Sequence, residues 1–181
     1  MAWIKDIFDM IMAMVRSDIC DRETFFRNHV EPLYEKLTQI HRDYITGFQD
    51  VRAKIKDSSL SSEELISFIR DRRREYGHER YLAKALALEL SKAESRRFSG
   101  DIGSAIEDYC IAICGYFSAT GEREDVDTSL PKIGSAYSET ISLLEAKRDV
   151  SEDINFIIEK GLPQAFDKIS SAYARLKMIL T

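Results

Sequence analysis

Apolar residues recur at steps of three and four along most of the chain, the period of amphipathic helices. Over residues 22–56 the stripe runs Phe26, Val30, Leu33, Leu37, Ile40, Tyr44, Phe48, Val51 and Ile55, close to a heptad seam. Pro32 lies inside it. A proline removes a backbone hydrogen bond and crowds the preceding turn, so the pattern predicts one long helix kinked at Pro32. Residues 151–180 repeat the arrangement. There Ile154, Ile158, Leu162, Ala165, Ile169, Tyr173, Leu176 and Leu180 keep register through Gly161-Leu162-Pro163, which predicts a second helix kinked at Pro163.

Between these two lie three further helical stretches. Ser61-Ser62-Glu63-Glu64 has the spacing of a capping box and starts a helix reaching about Arg97. Its stripe is Leu65, Ile69, Tyr76, Leu82, Ala83, Leu86 and Leu90, and Phe98-Ser99-Gly100 ends it. Residues 101–119 are apolar on most faces and read as the most buried element. Residues 128–147 follow, with Pro131 in the first turn and a face of Ile133, Ala136, Tyr137, Thr140, Ile141 and Leu144. Ser151 is the expected cap of the last helix. Ahead of all of them, residues 2–16 form a short apolar helix within a segment 1–17 expected to dock on a core or an interface. The expected fold is therefore all-α: one domain over residues 1–181, an up-and-down, coiled-coil-like bundle of about six helices.

Composition supports that class. Three prolines and eight glycines are too few for the turns of an all-β chain, and 44% apolar residues are too many for a disordered one. The net charge of −5 excludes bulk attraction to nucleic acid, which is admitted only through a local basic patch. Three cysteines, Cys20, Cys110 and Cys114, suit a reducing, cytoplasmic setting. Cys110 and Cys114 share a helix face and are expected to pack as small hydrophobes. No stretch reaches the roughly 18 uninterrupted apolar residues of a membrane span.

One interval breaks the stripes. Residues 70–80 hold five arginines (Arg70, Arg72, Arg73, Arg74 and Arg80) against three acids, together with Tyr76 and His78, and Tyr81 borders them. Within the interval Asp71 can reach Arg74 and Glu75 can reach Arg72, each an exposed pair of roughly 0.3–0.5 kcal/mol. The surplus arginine forks are suited to carboxylates, phosphates or an acidic partner surface. Arg beside Tyr is also the composition of interface hot spots.

Several short motifs carry the letters of known chemistry. Glu75-x-x-His78 is half of a di-iron site, but neither His29 nor His41 supplies the second half, so no metal is expected. His41-Arg42-Asp43 has the letters of a kinase catalytic loop, yet it lies inside a periodic helix with Phe48 where the asparagine should follow. No phosphate loop or nucleotide fingerprint occurs, and no cofactor is expected. Arg73-Arg74-Glu75-Tyr76-Gly77-His78 resembles the Arg-x4–6-His motif of HEPN domains, an all-helical class that includes metal-independent ribonucleases of toxin and phage-defence systems. The resemblance implies Arg73 as the phosphate-stabilising group and His78 as acid or base at a dimer cleft. Arg74 stands where that family usually has Asn, Asp or His.

Three functional expectations follow. The first is a non-enzymatic subunit, regulator or adaptor that docks a protein partner or forms a homo-oligomer. Its expected surfaces are Arg70, Arg72, Arg73, Arg74, Tyr76, Arg80 and Tyr81, and Trp3, Ile7 and Phe8 of the first helix. The second is the HEPN-like ribonuclease. The third is a peripheral membrane protein using Trp3, Ile4, Ile7, Phe8 and Ile11; the missing ring of Lys and Arg around them argues against it.

Overall fold

The computed structural model describes residues 22–57, 60–74, 100–117 and 133–181. Nearly all of them are helical, and no strand occurs among them, so the chain is all-α. In chain order the elements are α1 (Arg22–Phe25), a π-turn π1 (Phe26–Val30), α2 (Glu31–Lys56), α3 (62–74), α4 (Asp101–Phe117), α5 (Ile133–Glu145), α6 (Ser151–Phe156), a second π-turn π2 (Ile157–Gly161) and α7 (Leu162–Leu180). Trp3, Ile4, Ile7, Phe8, Ile11 and Cys20 lie outside the described residues, as do Tyr76, His78, Arg80 and Tyr81.

Each proline is carried the same way. The π-turn ends two residues before Pro32 or Pro163, and the proline enters the first turn of the following α-helix. The Glu31 N–H donates to the Phe26 carbonyl and the Leu162 N–H to the Ile157 carbonyl, five residues back instead of four. The wider turn opens space under the ring, where an α-helical carbonyl would clash, and the missing proline N–H breaks no α-helical register. The backbone therefore stays helical from Arg22 to Lys56 and from Ser151 to Leu180. The extra residue also rotates the buried face. Neighbouring pairs are buried around each π-turn: Phe25 with Phe26, Ile157 with Ile158, and Ala165 with Phe166.

Three helix ends show how local chemistry fixes boundaries. At α3 the expected capping box is present. The Glu64 N–H donates to Ser61 Oγ at 3.3 Å, and Glu64 Oε2 accepts from the Ser61 N–H at 2.8 Å. The Ser61 N–H first, and then the Ser61 hydroxyl, which donates to the same Oε2 at 2.8 Å, lower the pKa of the Glu64 carboxyl. At α6 the expectation is corrected. Ser151 is the first helical residue, and the Asp149 carboxylate accepts its N–H at 2.9 Å. The turn that closes α5 places Lys147 at a φ of 55°. The Arg148 N–H then reaches the Leu143 carbonyl and the Lys147 N–H the Leu144 carbonyl, both at 2.9 Å, a Schellman closure made without glycine. Gly100, with φ +77°, precedes α4.

α2 is the spine. Its buried face (Leu33, Leu37, Ile40, Tyr44, Phe48 and Val51) follows the stripe. α7 runs antiparallel to it, since Phe26 meets Tyr173, His41 meets Phe166 and Arg52 meets Asn155. α4 in turn runs antiparallel to α7, with Tyr116 on Phe166 and Asp108 paired with Arg175. α5 packs Tyr137 on Phe48 at 4.2 Å. α4, read from its pattern as the most buried element, buries Ile102, Ala105, Ile106, Tyr109, Cys110 and Ile113, whereas Ile111 is 41% exposed. Cys110 is buried and Cys114 half-buried, and neither is in a disulfide among the described residues.

Candidate functional site

Two surfaces on the α2 spine carry the polar chemistry. The first is the described part of the arginine interval, on α3. Leu65, Ile66 and Ile69 bury that helix against the bundle, which leaves the later positions at its edge. Arg70 pairs with Glu145 of α5 at 2.8 Å, and Arg72 pairs with Asp50 of α2 at 3.1 Å. Arg72 also lies 5.4 Å from the Phe68 ring centroid, a ring that Lys54 approaches at 6.0 Å. A guanidinium held by a carboxylate on one side and a ring on the other is fixed in place. Arg73 and Arg74 are different. Among the described residues Arg74, 83% exposed, pairs only with Asp71, at 3.9 Å, and Arg73, also exposed, forms no ion pair. Arg70 and Arg72 thus brace the helix, and Arg73 and Arg74 project from it.

The second surface is a ring seam that the sequence pattern did not single out. Tyr173 and Tyr34 stack at 3.9 Å with a 6° interplanar angle, and Tyr34 Oη is 3.1 Å from Ser170 Oγ. Phe166 follows at 6.1 Å from Tyr34 and stacks on His41 at 4.3 Å. His41 Nδ1 lies 2.7 Å from Tyr116 Oη. Burial raises the Tyr116 phenol well above its ordinary value, so it stays protonated and can either donate to or accept from the ring nitrogen, according to the His41 tautomer. Tyr116, Tyr44 and Tyr137 continue the seam to Phe48.

Charge at the solvent edge of this seam is negative. Tyr34, His41, Ser170 and Tyr173 are half-buried, and Glu35 and Asp167 are exposed beside them. The Tyr173 phenol is raised by burial first and then by Glu31, Tyr34 and Glu35. Burial lowers the pKa of the His41 imidazole, and the Asp167 carboxylate opposes that shift. His41 and Tyr34 stand seven apart on α2, and Phe166, Ser170 and Tyr173 stand four and three apart on α7, so a search for rings at helical spacing would have found them. A search for catalytic motifs could not.

Among the described residues no group of three His, Cys, Asp or Glu is placed to hold a metal ion. No described helix is long and apolar enough to cross a membrane. Of the HEPN-like pair, Arg73 is placed on the exposed face of α3 and His78 lies outside the described residues. No protein-family model matches the chain, and neither a curated protein nor a solved structure is similar to it.

Proposed function

We propose that the protein is a non-enzymatic interaction module, a subunit, regulator or adaptor, that docks a protein surface through the arginine face of α3. The observation that carries this reading is the division of labour on that helix. Arg70 and Arg72 are tied to Glu145 and Asp50, while Arg73 and Arg74 project from a helix those pairs hold in place. Forks mounted on a braced helix lose little freedom on binding and present bidentate donors to carboxylates. In this reading the chain is a cytoplasmic bundle of about six helices, bent at its two π-turns, and the N-terminal apolar segment adds a second docking surface.

The test replaces Arg73 with a photo-crosslinking residue in cells that make the protein, with the exposed position of Glu139 as control. A discrete protein adduct at 73 and none at 139, identified by mass spectrometry, is the expected result. Equal labelling at both positions removes the reading. Metal-independent RNA cleavage by the purified protein, lost in His78→Ala, would replace it with the HEPN-like nuclease.

A further inference from the structure

We infer that the protein pairs with a second copy of itself. In this antiparallel, two-fold dimer the Arg73–Arg74 face of each protomer sits on the carboxylate-edged ring strip of the other, formed by Tyr34, His41 and Tyr173. This rests on the arginine face being a docking surface, and it names the occupant.

The two surfaces are chemically matched. One offers exposed guanidinium groups at Arg73 and Arg74. The other offers the half-exposed rings of Tyr34, His41 and Tyr173 with Glu31, Glu35 and Asp167 close by. Arginine stacks on aromatic faces and forks onto carboxylates, and the strip presents both within one patch. Lys36 stands roughly 200° around α2 from Tyr34, away from the strip, by helical geometry. Arg42 and Lys168 each stand one position off it, next to His41 and Asp167.

The contact cannot be made within one protomer. Arg72 is tied to Asp50, so the arginine face lies at the C-terminal end of α2, whereas Tyr34 lies near its N-terminal end. Sixteen residues of helix separate Asp50 from Tyr34, about 24 Å, more than an arginine side chain spans. Asp50 stands about 160° around α2 from Tyr34, so the two patches flank the solvent face of α2 at its opposite ends, and both are met when a second copy crosses that face obliquely in the reverse direction. That arrangement is closed and isologous, the commonest symmetry of homo-oligomers. A net charge of −5 on each copy opposes long-range approach, so the pairing depends on these local patches.

Reversing either patch should break the dimer, and combining the two reversals should restore it. Analytical ultracentrifugation of the full chain is expected to show a dimer. R73E/R74E and E35K/D167K should each associate at least about tenfold more weakly, as reversal of complementary charge pairs does. An equimolar mixture of the two variants should then re-form a dimer, because in the heterodimer both contacts are again between opposite charges. Native mass spectrometry distinguishes that heterodimer from either homodimer. If a reversed variant does not fold by circular dichroism, R73A/R74A and E35Q/D167N replace it; each should weaken the dimer, and their mixture should recover only in part, because the heterodimer regains one of the two arginine–carboxylate contacts. A monomeric parent protein, a dimer indifferent to both reversals, or folded reversed variants that stay apart on mixing would each overturn the inference. A crosslink from position 73 to a different protein, with no rescue on mixing, would leave the docking reading standing and remove the second copy as its occupant.

Discussion

Along its N-terminal half α2 meets α7 and α4 through rings, whereas along its C-terminal half the polar side chains at its edge pair with α3, α6 and π2. In the first region Tyr34, His41 and Tyr44 engage Tyr173, Phe166 and Tyr116. In the second, Asp50 holds Arg72, and Arg52 reaches Asn155 at 3.4 Å and Glu159 at 4.0 Å. The energetic weights differ. Each ring in the seam removes a large apolar area from water and gains ring–ring contact besides. The ion pairs sit at half-exposed side chains, where screening and side-chain entropy leave roughly 0–1 kcal/mol each. The seam therefore holds the fold, and the charged region is free to be remodelled for binding without unfolding the bundle.

The sharpest way to break the comparison is to remove one ring from the seam. Phe166 is only 9% exposed and contacts Tyr34, His41 and Tyr116. Phe166→Ala should destabilise the protein by about 3 kcal/mol or more, in the range of buried Phe→Ala changes, read by urea unfolding. A loss below about 1 kcal/mol would mean that the seam is no stronger than the charged region.

Protonation probes the same seam more gently. Burial holds His41 below its ordinary value of 6.5, with Asp167 pulling the other way. The sign follows from linkage: below pH 6.5 the unfolded chain binds a proton that the folded chain resists, so stability is complete above that pH and declines as the pH falls toward the folded value. Protonation makes both ring nitrogens donors, so Nδ1 of the imidazolium can only donate to Tyr116 Oη. His29 is lowered by burial as well and contributes with the same sign. His41→Asn should flatten part of the decline below pH 6.5, leaving the portion due to His29; an unchanged slope would place the acid sensitivity outside the seam.

The two regions were unequally legible in the sequence. The helical stripes predicted most of the core, because buried positions at steps of three and four survive any tertiary arrangement. They missed Phe166, which sits one position off the stripe beside Ala165. The π-turn before Pro163 adds a residue to the turn and rotates the face, so two adjacent residues point inward, which a fixed helical period does not express. Tyr173 was read as part of the stripe and is instead half-buried, stacked on Tyr34 at the solvent edge. The arginine interval holds more cations than its own acids can pair. Two of the missing partners are Asp50, 22 residues away, and Glu145, 75 residues away. Nothing in local spacing announces such pairs, because they depend on where α2 and α5 pass α3.

The smallest effect tests the charged side directly. Asp50→Asn removes the carboxylate from Arg72 and leaves the guanidinium on the Phe68 ring. The Arg72 and Asp50 side chains are 30% and 46% exposed, so solvent replaces much of the lost attraction and the expected cost is below about 1 kcal/mol. Raising the salt concentration should shrink it further, since exposed pairs are screened over roughly 10 Å at 0.1 M. If urea unfolding instead gives a loss comparable with that of Phe166→Ala, and salt leaves it unchanged, the arginines of α3 belong to the scaffold. A face that the fold depends on to that degree could not also be remodelled for a partner.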